Sequence, residues 1–310
     1  MNVSSQSWIL VGDDPAVSAL VEAARAVGDQ VTAVVAGPRT VADDVARSGV
    51  DRVLWLGATG DEPVEAYAGA VARIVVEAAP RAVIAATSAA GRALLGAVAA
   101  AVQAPVLAGV GSVEVSGESV VVSRTVLGGI VEHRTSVSAG PALLALAPGS
   151  AAGEGAPAVD VETVGATPRA GAHVTAVRTK DVEAVDLGAA RAVVAVGRGL
   201  KAREDVELLQ GLASAFGAEL GCSRPLAEGV DWLAKERYIG ISGQHITPEL
   251  YVAVGISGQL QHMVGVRGAG TVVAVNSDKA APIFAQCDYG VVGDLYQLVP
   301  AITAALQAAR

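Results

Sequence analysis

The stretch Pro248-Glu-Leu-Tyr-Val-Ala-Val-Gly-Ile-Ser-Gly-Gln-Leu-Gln-His262 decides the fold, because an apolar strand there runs straight into a glycine-flanked turn and a short helix. Leu250 to Val254 is the β-branched and aromatic run of a strand buried on both faces, as in parallel sheets. Gly255 and Gly258 let the backbone turn sharply and leave main-chain N–H groups uncovered. Ser257 reads as the cap of a helix beginning at Gln259. The N-terminus of such a helix favours an anion or an electron-rich ring edge. His262 then lies about one turn into the helix, facing the same ligand. An ordinary strand-to-helix turn with His262 in the core is the alternative reading.

The neighbours of this stretch repeat its design. Val193 to Val196 ends in Gly197-Arg-Gly-Leu-Lys201, and Glu219 to Cys222 leads into Ser223-Arg224-Pro225. Further on, Thr271 to Val275 ends at Asn276-Ser-Asp278, followed by Ala281-Pro-Ile-Phe284 and Asp288-Tyr-Gly-Val-Val-Gly-Asp-Leu295. Each strand is thus followed at its carboxyl end by a polar or glycine-bearing turn, the place where open α/β sheets bind ligands. This order of motifs resembles the C-terminal domain of the alpha subunit of electron transfer flavoproteins, from about residue 188 to 310. The forms Cys222-Ser-Arg-Pro225, Glu236-Arg-Tyr-Ile-Gly-Ile-Ser242 and Gly258-Gln-Leu-Gln-His-Met263 are most similar to the Fix-type branch, associated with nitrogen fixation and carnitine metabolism.

The resemblance implies FAD as cofactor and assigns its contacts. Arg198 would meet the diphosphate, and a guanidinium between two glycines approaches phosphate oxygens unobstructed. Arg224, beside Ser223, would lie over the isoalloxazine ring, where a permanent positive charge favours the reduced form. Ile239, Gly240, Ile241 and Ser242 stand where many members read Gly-Gln-Thr-Gly. The amide of that glutamine is therefore missing at Ile241, while Ser242 keeps a hydroxyl for the ring; the departure bears on the reduction potential. Ser257, Gly258, Gln259, Leu260, Gln261 and His262 would face the pyrimidine end of the ring. Asn276, Asp294 and Leu295 would meet the adenosine half. Read without the resemblance, Asn276 is a turn former and Asp294 the cap of a helix through Leu298, Val299, Ile302 and Leu306.

The first half alternates strands and helices. Trp8–Val11, Val31–Val35, Arg52–Leu56 and Ala82–Ala86 read as strands of a mainly parallel sheet. Asp14 is the expected cap of the first helix, with Pro15 at its first position. Val41–Arg47 and a helix opened by Pro63 follow. Ala93 to Gly111 carries no charge over nineteen residues, but Pro105 divides it, so a buried helix and a strand are expected and no membrane insertion. After Pro105, Val113–Val115, Val120–Val122 and Thr125–Val137 alternate like antiparallel strands, and Pro141–Ala147 adds one more. Gly149–Gly155 reads as a surface loop and His173–Val185 as extended chain. The turn after the first strand lacks the glycine triplet of a dinucleotide site. Glu132, His133 and Arg134 read as surface residues.

These readings give an α/β chain of two domains, 1–187 and a doubly wound 188–310; the resemblance makes the first a scaffold packing on a beta subunit and the second an FAD-binding domain, expected to swing about 186–190. With 310 residues both have room for a core, and a net charge of −9 argues against nucleic-acid binding. Two distant cysteines, Cys222 and Cys287, suit a reducing cytoplasm and small buried roles, and Asp13 and Asp14 do not suit a secretory leader. No nucleophile triad or metal-ligand motif is present, which makes an independent catalyst the weaker reading, and the resemblance implies an electron carrier rather than an enzyme. The resemblance implies a beta subunit holding AMP or a second FAD, a donor dehydrogenase of the acyl-CoA dehydrogenase type and an acceptor oxidoreductase. A regulatory subunit that binds an adenine nucleotide, without redox activity, is the alternative.

Overall fold

The computed structural model describes residues 6–57, 60–127, 130–147, 149, 156–169, 171–176, 185 and 187–309. The chain divides into two units, Met1–Thr179 and Lys180–Arg310. In the first, β1 (Gln6–Val11), α1 (Ser18–Val27), β2 (Gln30–Val35), α2 (Arg39–Val45), β3 (Arg52–Trp55), α3 (Ala68–Ala78), β4 (Ala82–Ala86), α4 (Ala89–Val102) and β5 (Val106–Ala108) follow in order. An antiparallel sheet of β6 (Val110–Ser116), β7 (Ser119–Val126) and β8 (Val131–Val137) comes next, and β9 (Ala142–Leu146) and β10 (Val161–Thr163) return to the main sheet. That main sheet is parallel throughout, in the order β10-β3-β2-β1-β4-β9-β5.

Period-two alternation divides the strands of this sheet between two cores. Ile9 and Val11 pack on one face with Leu20 and Ala24 of α1, Val41 and Val45 of α2, and Val120 and Val122 of β7. Trp8 and Leu10 pack on the other with Val71 and Val75 of α3 and Leu94 and Val98 of α4. The uncharged run resolves into most of α4 followed by β5, and no described helix is long and apolar enough to cross a membrane.

Several boundaries differ from the sequence reading. The Asp14 carboxylate takes the Ala16 N–H (2.9 Å) in a local turn, so α1 opens three residues beyond Pro15, at Ser18. The second helix starts at Arg39 because Pro38, fixed at φ −57°, launches it. Pro63 opens a 3-10 turn, Val64–Tyr67, before α3 begins. The short β10 carries no strong apolar pattern and was not foreseen. Most of the expected loop 149–155 and part of the extended run 173–185 lie outside the described residues, as does residue 186 of the expected swing segment; 173–176 carry no strand.

The second unit holds β11 (Ala192–Val196), α5 (Val206–Phe216), β12 (Glu219–Cys222), α6 (Arg224–Glu228), β13 (Leu250–Val254), α7 (Leu260–Met263), β14 (Thr271–Asn276), β15 (Tyr289–Val292) and α8 (Leu295–Ala308). All five strands are parallel, in the order β12-β11-β13-β14-β15. Val194, Val196, Val252 and Val254 pack against Leu209 and Leu212 of α5 and Val299 of α8. Val193, Ala195, Tyr251 and Ala253 point the other way, onto Ile239, Ile246, Met263 and Ile283. The chain leaves β11 for β12 on one side and then builds β13 on the other. The order therefore reverses between β11 and β13, and a crevice opens at their carboxyl ends.

Two glycines of this unit separate close approach from free space. A Cβ on Gly197 would overlap the Gly255 carbonyl oxygen, whereas one on Gly211, exposed in α5, would touch nothing within 4 Å. Gly197→Ala is expected to destabilise the unit by about 1–3 kcal/mol, and Gly211→Ala to stabilise it by up to about 1 kcal/mol. Urea-unfolding midpoints of the two variants check the opposite signs.

Candidate functional site

The crevice is a cleft of about 800 Å³ built within the second unit, at the carboxyl ends of β11, β12, β13 and β14 and the start of α8. Its base is backbone. Gly197 and Gly199 cross Gly255, where a Cβ on Gly199 would come within 2.8 Å of the Gly255 Cα and 2.9 Å of Leu295. Gly255 takes φ +63° and Gly258 φ +79°, values that L side chains rarely adopt. Arg198 projects between the two glycines onto the cleft wall.

Arg224 follows β12 and opens α6, with Pro225 fixing the exit. Its Nε donates to Glu228 Oε2 (2.8 Å) one turn on, which leaves the rest of an exposed guanidinium for a ligand. Ser223 lines the wall beside it, its own N–H held by the Val196 carbonyl (3.0 Å). The 239–242 loop is anchored at both ends: Ile239 N–H donates to Cys222 O (2.9 Å) and Ile241 N–H to Gln261 O (2.8 Å). Ile239 and Ile241 reach the wall, and the Ile241 side chain is exposed on it. Gly240 lies behind, where a Cβ would stand 2.8 Å from the Gln261 carbonyl, and Ser242 pairs its hydroxyl with the Tyr238 phenol (3.3 Å).

The turn that opens the sequence reading is placed differently from expectation. The helix α7 begins at Leu260, is four residues long, and has Gln259 as its cap position, without a capping hydrogen bond from any side chain. Gln259 keeps an extended backbone (φ −59°, ψ 146°), so Ser257 stands outside the helix and cannot cap it. A single turn sums few peptide dipoles, and the long helix that meets the cleft is α8 instead, with Leu295 and Tyr296 of its first turn on the wall. Ser257, Gln259, Gln261 and His262 line the cleft; Gly258 is packed against Ile283 and Leu260 points to solvent away from the wall.

His262 is buried, and its Nε2 sits 2.6 Å from the phenol oxygen of Tyr251, itself inaccessible to solvent within β13. Burial lowers the imidazole pKa to about 4, against a smaller opposing pull from the Ile239 backbone, so the ring is neutral at physiological pH. Its Nδ1 is buried too and makes no hydrogen bond of full geometry, the Ile239 group included. Burial pushes the Tyr251 phenol well above its usual range and the Cys222 thiol up to about 12, which makes Cys222 a small inert core residue. Cys287 is half-buried.

Asn276 and Asp294 line the wall while serving the backbone. Asn276 Nδ2 donates to Ile256 O (2.8 Å) and its Oδ1 accepts from Asp278 N (3.0 Å); Asp294 caps α8 by accepting from Tyr296 N (3.0 Å). The sequence reading missed Lys201, Tyr238, Ser277, Asp278 and Tyr296, all on the wall. Lys201 closes a motif already in view, and Tyr296 is one residue beyond Leu295; neither has a type or spacing that marks it without the fold. Three wall cations, Arg198, Lys201 and Arg224, face two carboxylates, Asp278 and Asp294, so the cleft carries excess positive charge in a chain of net charge −9.

Comparison with known proteins gives the family of the chain. The profile of the "Electron transfer flavoprotein FAD-binding domain" matches residues 186–267, and that of the "Electron transfer flavoprotein domain" matches 14–190. Protein FixB of Salmonella paratyphi A is 36% identical over 313 residues, covering 99% of each chain. The FixB proteins of Shigella flexneri and of Escherichia coli O17:K52:H18 are each 36% identical over 315 residues, again with 99% of each chain covered. The chain belongs to the electron transfer flavoprotein alpha subunits of the Fix type, FAD-binding electron carriers that pair with a beta subunit.

Proposed function

We propose that FAD lies along the cleft with Arg198, Ser223, Arg224, Ile239, Ile241, Ser257, Gln259, Gln261, His262, Asn276, Asp294 and Leu295 as its contacts. Gly240, Ser242 and Gly258 shape the wall from behind, and Leu260 faces solvent beside it. The observation that carries this reading is a side-chain-free backbone crossing at the switch point of the sheet, in a cleft whose wall carries both cations and the apolar side chains of Ile239 and Ile241. Diphosphate suits the bare glycines with Arg198; a flat ring suits Ile239, Ile241 and Tyr238. The buried Nδ1 of His262 is a polar atom still lacking a partner, as a site built for a polar ring edge would leave it.

When bound, FAD supplies the electron chemistry, and the chain supplies position and charge. Arg224 offers a planar guanidinium, and Glu228 fixes its direction. His262 stays neutral, so it offers a dipole without a second full charge. Preorganised groups of this kind need no rearrangement as charge arrives.

In this reading residues 188–310 form the cofactor domain and 1–187 the scaffold for the beta subunit, which holds AMP or a second FAD. The Fix-type motifs support a cytoplasmic carrier in fatty acid or carnitine metabolism, taking electrons from an acyl-CoA dehydrogenase type of donor and passing them to a further oxidoreductase. Flavin analysis of the protein co-expressed with its beta subunit tests the site: a yellow complex with FAD in the alpha subunit supports it, and a colourless one releasing only adenine nucleotide overturns it.

Arg224→Ala is expected to keep FAD but lower its midpoint potential by about 60 mV, tenfold in a one-electron equilibrium, with Arg224→Lys in between. Dye-equilibrated redox titration reads the shift. A second expectation concerns pH. The His262 pKa in the folded chain lies below its ordinary value, so as pH falls below about 6.5 the unfolded chain takes up a proton that the native chain refuses until about 4. Stability therefore drops through that window, by on the order of 3 kcal/mol for this one group. Urea midpoints across pH 7 to 4 should show a shallower fall in His262→Gln than in the parent; parallel curves would refute the assignment.

A further inference from the structure

Lys201 and Tyr296 stand on the cleft wall outside the contacts assigned above, and they are joined to each other and to Asp205. The Tyr296 phenol accepts the Lys201 backbone N–H (2.8 Å) and donates to Asp205 Oδ2 (2.5 Å), which also takes the Ala202 N–H (3.0 Å). The Lys201 ammonium rests 4.8 Å from the centroid of the Tyr296 ring, within cation–π range. Partial burial, and then the bond to Asp205, raise the phenol pKa, while the phenol's bond holds the Asp205 carboxyl below its ordinary value. At neutral pH the proton therefore stays on the phenol, and the direction of the short bond is fixed.

These bonds connect segments 95 and 91 residues apart in sequence. One runs from the loop Gly197–Lys201, which carries Arg198, on to Asp205; the other is the Gly293–Leu295 turn, which carries Asp294, with Tyr296 in the first turn of α8. The two segments already touch where Leu295 meets Gly199, so the phenol is a polar pin beside an apolar contact. It sets how far apart the two walls stand at the end of the cleft where backbone is bare and two cations, Arg198 and Lys201, occur within four residues. That is the chemistry of a diphosphate seat, whereas the wall beside the end of β12 offers Ile239, Ile241 and Tyr238.

We propose that Tyr296 is a positioning residue for the diphosphate of bound FAD: anchored on Asp205, it holds the Lys201 ammonium and the Arg198 loop at the spacing the two phosphates require. The proposal rests on FAD occupying the cleft as described above. It differs from a purely structural pin, which would lower stability without distinguishing one end of the cofactor from the other.

The test uses the heterodimer. In Tyr296→Phe, FAD should bind about tenfold more weakly, the order of effect of a hydrogen-bonded charged group, while the visible absorption and the midpoint potential of the bound ring stay unchanged. Lys201→Gln should weaken FAD to a similar degree, and the double variant should be no weaker than the weaker single one, because both act through one assembly. Unchanged FAD affinity in Tyr296→Phe overturns the proposal. So does a loss accompanied by shifted ring absorption and potential, which would mean general loosening, and so do additive losses in the double variant. A parent heterodimer without FAD would instead overturn the cleft reading on which the proposal stands.

Discussion

The second unit depends on two backbones being able to touch. Where β11 and β13 end, Gly197 and Gly199 lie against Gly255 so closely that any side chain would displace a carbonyl or a Cα. The constraint originates in topology: a parallel sheet whose order reverses between these strands sends their exits to opposite sides and leaves a crevice between them. Glycine at these points lets the crevice reach down to main chain. Everything placed around it, from Arg198 to the start of α8, inherits its position from that crossing.

Charge is distributed to match. The chain as a whole is acidic, yet the cleft wall gathers Arg198, Lys201 and Arg224, and its two carboxylates are occupied with capping or turn geometry at Asp294 and Asp278. The titratable ring on the wall, His262, is kept neutral by burial and held by a phenol with no solvent access. Burial thus keeps the imidazole from adding a full charge to the cleft at physiological pH. Groups fixed in this way need no reorganisation when charge arrives in the cleft.

Much of this was legible in the letters. Long β-branched runs such as Leu250–Val254 and Ala192–Val196 identify parallel strands, because strands buried on both faces need no alternation. Ordered motifs at the strand ends identified the family, and through it Arg198, Arg224 and the 257–262 turn. What escaped has physical reasons. A cap is a matter of local φ/ψ, and neither Asp14 nor Ser257 shows by type that a turn or an extended residue intervenes before the helix. Tyr296 and Lys201 are ordinary surface types whose meaning comes from partners more than 90 positions away. The Tyr251–His262 bond is similarly invisible, since nothing in an apolar strand says which of its tyrosines points inward toward a polar atom.

Ile241 shows how a departure from the family pattern can be absorbed. Where many members carry an amide, this chain presents an aliphatic side chain, 58% exposed on the wall and fixed by the bond of its own N–H to Gln261. The lost hydrogen bond to a ring removes a neutral dipole, worth about 1 kcal/mol net. A methyl-lined wall also excludes water once a ring covers it, and exclusion of water strengthens every charge nearby, because the interaction of a unit charge grows as the effective dielectric falls. Arg224 is the charge on the same wall that gains from this. In the proposed pose the substitution would move the control of the ring from a directional donor to a longer-ranged cation, and the potential would then depend more on Arg224 than it would beside an amide.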